Sequence, residues 1–180
     1  MRLHLLIPVA LVCLLASCSG GDIEQVRMLS RETEFPVETG RNVTINYTDS
    51  GFLKARVFTP LMERYASDDK QYTEMKKGIT IYFLTKDKKV ESYLKSKYAI
   101  RYDREKKMIA RNDVVLVNIK GDTMRTEELL WNEATQRISS EKSVRITTKD
   151  EIIIGDGFES NAEFTQYKIF RIRGTVNLKN

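Results

Sequence analysis

From about Val43 onward the apolar residues come in short runs rich in Val, Ile, Tyr, Phe and Thr, separated by Gly, Asp, Asn and Lys. Runs at residues 43–47, 78–84, 114–119, 144–147, 152–154 and 168–172 are too short for amphipathic helices and have the length and residue types of strands. Turn chemistry stands between them: Thr48-Asp49-Ser50-Gly51, Lys86-Asp87-Lys88-Lys89, Lys120-Gly121-Asp122 and Gly155-Asp156-Gly157. Val115, Val117 and Ile119 alternate with Leu116, Asn118 and Lys120, which predicts a strand with the first set on its buried face. Residues 53–65 have a helical texture, but Pro60 interrupts it, and two strands with a bend are expected there. The fold class expected is all-β.

The first residues carry a different signal. Arg2 precedes an apolar stretch of 12 residues from Leu5 to Ala16, broken by Pro8. A membrane-spanning helix needs about 20 such residues, so this stretch has the length of a secretory signal instead. It closes in Leu15-Ala16-Ser17-Cys18, which resembles the bacterial lipobox, where the cysteine thiol receives diacylglycerol before cleavage. The expected organisation is a signal peptide at residues 1–17, lipidated Cys18 with a tether to residue 42, and a β domain at residues 43–180. Cleavage removes 17 of 180 residues and leaves 163, a length that suits one domain. Each buried CH₂ of an acyl chain contributes about 0.8 kcal/mol, and stable anchoring takes two or more chains. The mature chain is therefore expected to sit on a membrane, the inner one in preference to the outer.

The same cleavage decides much about chemistry. It removes His4, the one histidine of the chain, and Cys13, which leaves Cys18 as the mature cysteine. Histidine-based triads, the usual zinc sites and an internal disulfide are then unavailable. The net charge falls from +5 to +4, because Arg2 is the one charged residue lost. Such a surplus suits a mixed solvated surface as well as an anionic partner, and nucleic acid is not expected. Gly155-x-Gly157 lacks the rest of a dinucleotide fingerprint. The pairs Glu127/Glu128 and Asp150/Glu151 are poor hydrolytic candidates, since adjacent strand residues point to opposite faces. No enzyme, metal or cofactor is expected.

A weak internal repeat of 29 residues relates Tyr102 to Trp131, Ile109 to Ile138, Val115 to Val144, Val117 to Ile146 and Leu129 to Phe158. Stacked similar β layers produce such a period, and so does chance matching among short apolar runs.

One succession of motifs carries more. Tyr47-Thr48-Asp49-Ser50-Gly51 leads to Lys54-Ala55-Arg56, then Ser92-Tyr93-Leu94, Tyr98-Ala99 and Tyr102-Asp103. Asp113 opens the run to Ile119, and Gly121-Asp122-Thr123-Met124-Arg125-Thr126-Glu127-Glu128-Leu129 follows with Trp131. Val144-Arg145-Ile146-Thr147 and Gly155-Asp156-Gly157-Phe158-Glu159-Ser160 complete it. In order and spacing this resembles the LptC family of the lipopolysaccharide exporter, over roughly residues 43–176. The resemblance implies an open, splayed antiparallel β-jellyroll whose apolar interior holds lipid A acyl chains. It implies three partners: lipopolysaccharide, the inner-membrane ABC transporter at the N-terminal edge (residues 43–47), and a periplasmic bridge protein of the same fold at the C-terminal edge (residues 169–176). Family members commonly use a transmembrane helix where this chain has a lipobox.

Candidate lining residues are Val115, Val117, Ile119, Met124, Leu129, Trp131, Val144, Ile146, Phe158 and Ile169. Alternation identifies a buried face, and either protein or lipid can fill the space behind it. Gly155 matches a family glycine before the last strands, with a positive-φ turn or a direct part in transport as its two readings. A structural or adhesive lipoprotein that binds a protein by strand addition is the alternative function.

Overall fold

The computed structural model describes residues 35–66 and 71–178. The signal segment, Cys18 and most of the tether lie outside the described residues. The chain forms eleven strands: β1 (Glu38–Asp49), β2 (Phe52–Ala66), β3 (Gln71–Met75), β4 (Ile79–Leu84), β5 (Val90–Ser96), β6 (Tyr98–Tyr102), β7 (Lys107–Asn118), β8 (Thr123–Asn132), β9 (Arg137–Thr147), β10 (Glu151–Asn161) and β11 (Tyr167–Asn177). They make one antiparallel sheet, with no helix among the described residues. The fold is all-β, consistent with a jellyroll. β1 begins at Glu38, ahead of the point where the β texture becomes legible.

Two long strands make the sheet wrap. β2 pairs with β1 along one edge, while its other edge serves β4 at residues 55–58 and β3 at residues 63–66. β7 repeats the device: β8 runs along one edge, and the other serves β6 at residues 107–111 and β5 at residues 115–118. Pairing of β4 with β5 and of β3 with β6 joins the two, so six strands close a ring. β8, β9, β10 and β11 continue the sheet beyond β7, which leaves β1 and β11 as its edges.

Pro60 does not bend the chain into two strands as expected. Residues 53–65 lie in one strand, not two. Pro60 has no N–H to donate, and it falls in the gap where one edge of β2 passes from β4 to β3. On the other edge it faces Asn42, whose φ of 51° interrupts the ladder at that point.

The facing of β7 is also the reverse of the expectation. Val114 and Leu116 are fully buried, whereas Val115 and Val117 are half-buried on the opposite face and Ile119 is 74% exposed. The run Val-Val-Leu-Val is apolar on both faces, so Asn118 tipped the reading toward the odd positions. Asn118 in fact points inward and is buried, with its side chain fully used. Its Oδ1 accepts from the backbone N–H of Lys120 and Asp122, and its Nδ2 donates to Phe164 O. A polar residue is tolerated inside because every group it buries is paired.

The true facing of β7 also shifts the internal repeat by one residue. β6–β7 and β8–β9 are hairpins with four-residue turns, each ending on a left-handed residue, Lys106 (φ 51°) and Gln136 (φ 55°). In that frame Met108 matches Ile138, Ala110 matches Ser140, Val114 matches Val144 and Leu116 matches Ile146, all of them buried. The structural period is thus 30 residues, and a frame of 29 pairs outward positions of β7 with inward ones of β9.

Truncation of Leu116 to Ala is expected to cost about 3 kcal/mol, as for other large-to-small core changes. Val117→Ala is expected to cost about 1 kcal/mol or less. Urea unfolding of the two variants checks the facing, and equal losses would contradict it.

Candidate functional site

The inward faces of the strands meet in one apolar cluster. Met124, Leu129 and Trp131 on β8, Val144 and Ile146 on β9, and Phe158 on β10 are 0–2% exposed and belong to it. Phe83, Leu94 and Leu116 face them from β4, β5 and β7. Six of the expected lining residues are thus brought together. Ile169 joins them from the rim, half-buried on β11, as do Ile45 and Tyr47 on β1. Val115, Val117 and Ile119 lie outside this cluster, for the reason of parity given above. Among the described residues, the inward side chains pack against one another in that single cluster.

β1 is fastened across the interior to β8 by few groups. The Tyr47 ring stands edge-on to Trp131 at 5.5 Å, and its hydroxyl donates to the Glu133 carbonyl at 2.9 Å. The Gln136 side-chain amide donates to the same carbonyl at 2.7 Å. The Glu133 carboxylate is 2% exposed and takes a two-pronged grip from Arg101 on β6, through Nε at 2.6 Å and Nη2 at 3.0 Å. Arg101 also pairs with Asp103. Its hydrogen bonds to Glu133 push the guanidinium pKa further up. Burial raises the Tyr47 phenol above its ordinary range, with the charges of Glu133 and Asp49 adding to it.

The other end of the interior is plugged by the β10–β11 connection, which the sequence reading did not single out. Ser92 Oγ of β5 donates to Ala162 O at 2.7 Å, and Asn118 Nδ2 donates to Phe164 O at 3.0 Å. These bonds drive Phe164 inward, fully buried, against Phe158 and Tyr167 at ring separations of 5.8 Å and 5.2 Å. Phe164 adopts φ 54°, so its turn is built to insert the ring. A lone aromatic within Asn-Ala-Glu-Phe-Thr-Gln was the available signal.

Both outermost strands are unpaired on one side among the described residues. On β11, Phe170, Ile172 and Val176 are 52%, 61% and 55% exposed, interleaved with Lys168, Arg171 and Arg173. The family described as "Lipopolysaccharide-assembly, LptC-related" matches this chain over residues 5–175. The chain belongs to the LptC family. No curated protein matches it. Membership carries a role in lipopolysaccharide transport and a place in the periplasmic part of the envelope. LptC is a transport and binding component and is not known as an enzyme.

Within this LptC chain, Gly155 has a reason other than the turn expected for it. It sits inside β10, paired with Val144 and Ile172, and its φ is not left-handed. A Cβ there would stand 2.5 Å from Ile169 Cγ2 and 2.6 Å from Arg171 O, so glycine lets β11 close on β10. The left-handed position is Gly157, φ 79°, at the β9–β10 irregularity.

Because the folded Tyr47 pKa lies above the ordinary value of 10.0, its contribution is present below pH 10 and is lost as pH rises through the folded value. Tyr47→Phe is expected to lower stability by about 1 kcal/mol at pH 8 through the lost hydrogen bond. It is also expected to flatten the alkaline decline relative to wild type. Urea midpoints taken between pH 8 and pH 11 check both, and parallel curves would contradict the second.

Proposed function

We propose that this chain is a lipid-anchored LptC. In this reading it takes lipopolysaccharide from the inner-membrane ABC transporter, shelters the acyl chains in the jellyroll interior, and passes them to the periplasmic bridge protein. The observation that carries the reading is the inward cluster running from β2 to β10, closed on the β8 side by a single strand, β1, held through Tyr47.

The energetics favour exchange over filling. Lipid A carries several acyl chains, and shielding several hundred Å² of them from water is worth on the order of 10 kcal/mol at roughly 25 cal/mol per Å². The inward side chains pack against one another in a single cluster, so in this reading a ligand enters as the two layers part. Contacts among Trp131, Phe83 and Leu129 are then replaced by contacts with alkyl chain, apolar for apolar. What must break is polar and small in number: the Tyr47–Glu133 bond, worth about 1 kcal/mol net, and the edge-on ring contact, worth a similar amount.

The edges supply the hand-over. β1 offers a free ladder to the transporter's jellyroll and β11 to the bridge protein, each by strand addition. Cys18, outside the described residues, is the proposed lipid attachment, with the inner membrane as its bilayer. Gly155 serves transport indirectly, by keeping β11 close-packed and in register for its partner.

The test is site-specific photo-crosslinking in the living bacterium, with the crosslinker at Leu116 or Met124 inside and at Val117 outside. A lipopolysaccharide adduct at the inner positions and not at Val117 is expected. No adduct at any of them, with the protein abundant and membrane-bound, would favour the structural or adhesive lipoprotein instead. Separately, Cys18→Ser is expected to abolish incorporation of labelled palmitate and to release the protein from membranes. Retention of label after that change would rule out the proposed attachment.

A further inference from the structure

Trp131 presents an anomaly. It is 2% exposed, yet its indole Nε1 is the one buried side-chain nitrogen or oxygen among the described residues that has no hydrogen-bond partner. A donor left unpaired in an apolar interior is costly, and native proteins rarely keep one without a use for it. Its surroundings offer nothing better. Tyr47 and Phe83 meet it edge-on, with centroids at 5.5 Å and 5.2 Å, and the strand partners beside it are Met108 and Ile138. Rings supply a weak N–H···π contact in place of a carbonyl. The nearby Glu133 carbonyl already receives Tyr47 and Gln136. Phenylalanine would fill much of the same space without stranding a donor.

We infer that the Trp131 indole N–H is a binding point for the ester or amide carbonyl that joins an acyl chain to its headgroup, with Tyr47 as the displaceable cover. The inference rests on the acyl-carrier reading above and adds the residue that fixes the depth of the chain. Trp131 lies directly behind the Tyr47–Glu133 clasp, so release of the half-buried Tyr47 would open a path from the surface to its N–H. Its neighbours are apolar enough to take the alkyl part, and its donor suits the linkage carbonyl. An alkane without a carbonyl would leave the donor stranded as before.

Trp131 is the single tryptophan of the chain, so the full-length, ¹⁵N-labelled protein gives one indole N–H resonance that needs no assignment. Purified lipopolysaccharide is expected to move that resonance downfield, and Trp131→Phe to weaken lipopolysaccharide binding about 3- to 10-fold. A parallel titration with phosphatidylglycerol vesicles tells whether any acyl carbonyl suffices or lipopolysaccharide is required. An unmoved resonance in protein saturated with lipopolysaccharide, or equal binding by the folded Phe variant, overturns the inference and leaves the carrier reading intact. Failure of the wild type to bind either lipid removes both. Should the Phe variant not fold, as judged by its thermal transition, the wild-type resonance alone decides.

Discussion

The rule that a buried backbone N–H or C=O must be paired governs the shape of this molecule. β2 and β7 are too long for their shorter neighbours to cover, and each solves the problem by taking two partners in succession along one edge. That sharing of partners is what bends the sheet into two layers. Irregularities collect at the changeovers. Pro60 occupies the gap in β2, and Asn112 and Asp113, at φ 64° and 53°, occupy the gap in β7 between its pairing with β6 and with β5. β8, β9 and β10 follow from the curl that this imposes. Their inward residues reach the β4–β5 side of the ring, where Ser92 and Asn118 hold the Ala162–Phe164 turn.

The proposed lipid carrier would face opposing demands. Empty, it must not expose a broad apolar face, which would invite aggregation. Loaded, it must offer that face to a lipid. A packed apolar cluster fastened by a polar clasp would meet both. Apolar contacts are non-directional, so alkyl chain can replace side chain at small net cost, whereas the contacts of Tyr47 and the Arg101–Glu133 pair fix one closed geometry. The asymmetry between the two ends matters here. The β10–β11 plug is held by two buried hydrogen bonds and a strained aromatic turn, whereas β1 rests across the interior on one hydrogen bond, one ring contact and the partly buried Ile45. β1 is therefore the cheaper side to open.

The all-β class and most of the strands were legible from short apolar runs set between turns, and Val144 and Ile146 from strict alternation. Met124, Leu129, Trp131 and Phe158 stood out as large apolar residues in strands whose alternation is broken. The facing of β7 was not legible, because the strand is apolar on both faces and its one polar clue, Asn118, is a buried turn organiser. Gly155 was read by its neighbours, since Gly-Asp-Gly looks like a turn. Its true constraint is the approach of Ile169 and Arg171 from a strand more than ten residues later. The inward role of Phe164, beyond its being a lone aromatic in a polar turn, and the clasp of Tyr47, Arg101 and Glu133 were hidden for the same reason. Each joins segments distant in sequence, and local pattern says nothing about which distant partner a residue will meet.

The two edges differ in a way that bears on assembly. β1 carries Glu38, Arg41 and Asp49, while β11 carries Lys168, Arg171 and Arg173. A second β11 laid against the first would bring like charges together along the ladder, which is unfavourable, and the interleaved Phe170, Ile172 and Val176 are thereby kept from self-association. An edge with the acidic balance of β1 meets no such penalty at β11. In the proposed hand-over, this difference in charge would favour joining β11 of one domain to a β1-like edge of the next over joining like edges. The backbone supplies the adhesion and the side chains supply the polarity, because main-chain ladders by themselves do not distinguish one edge from another.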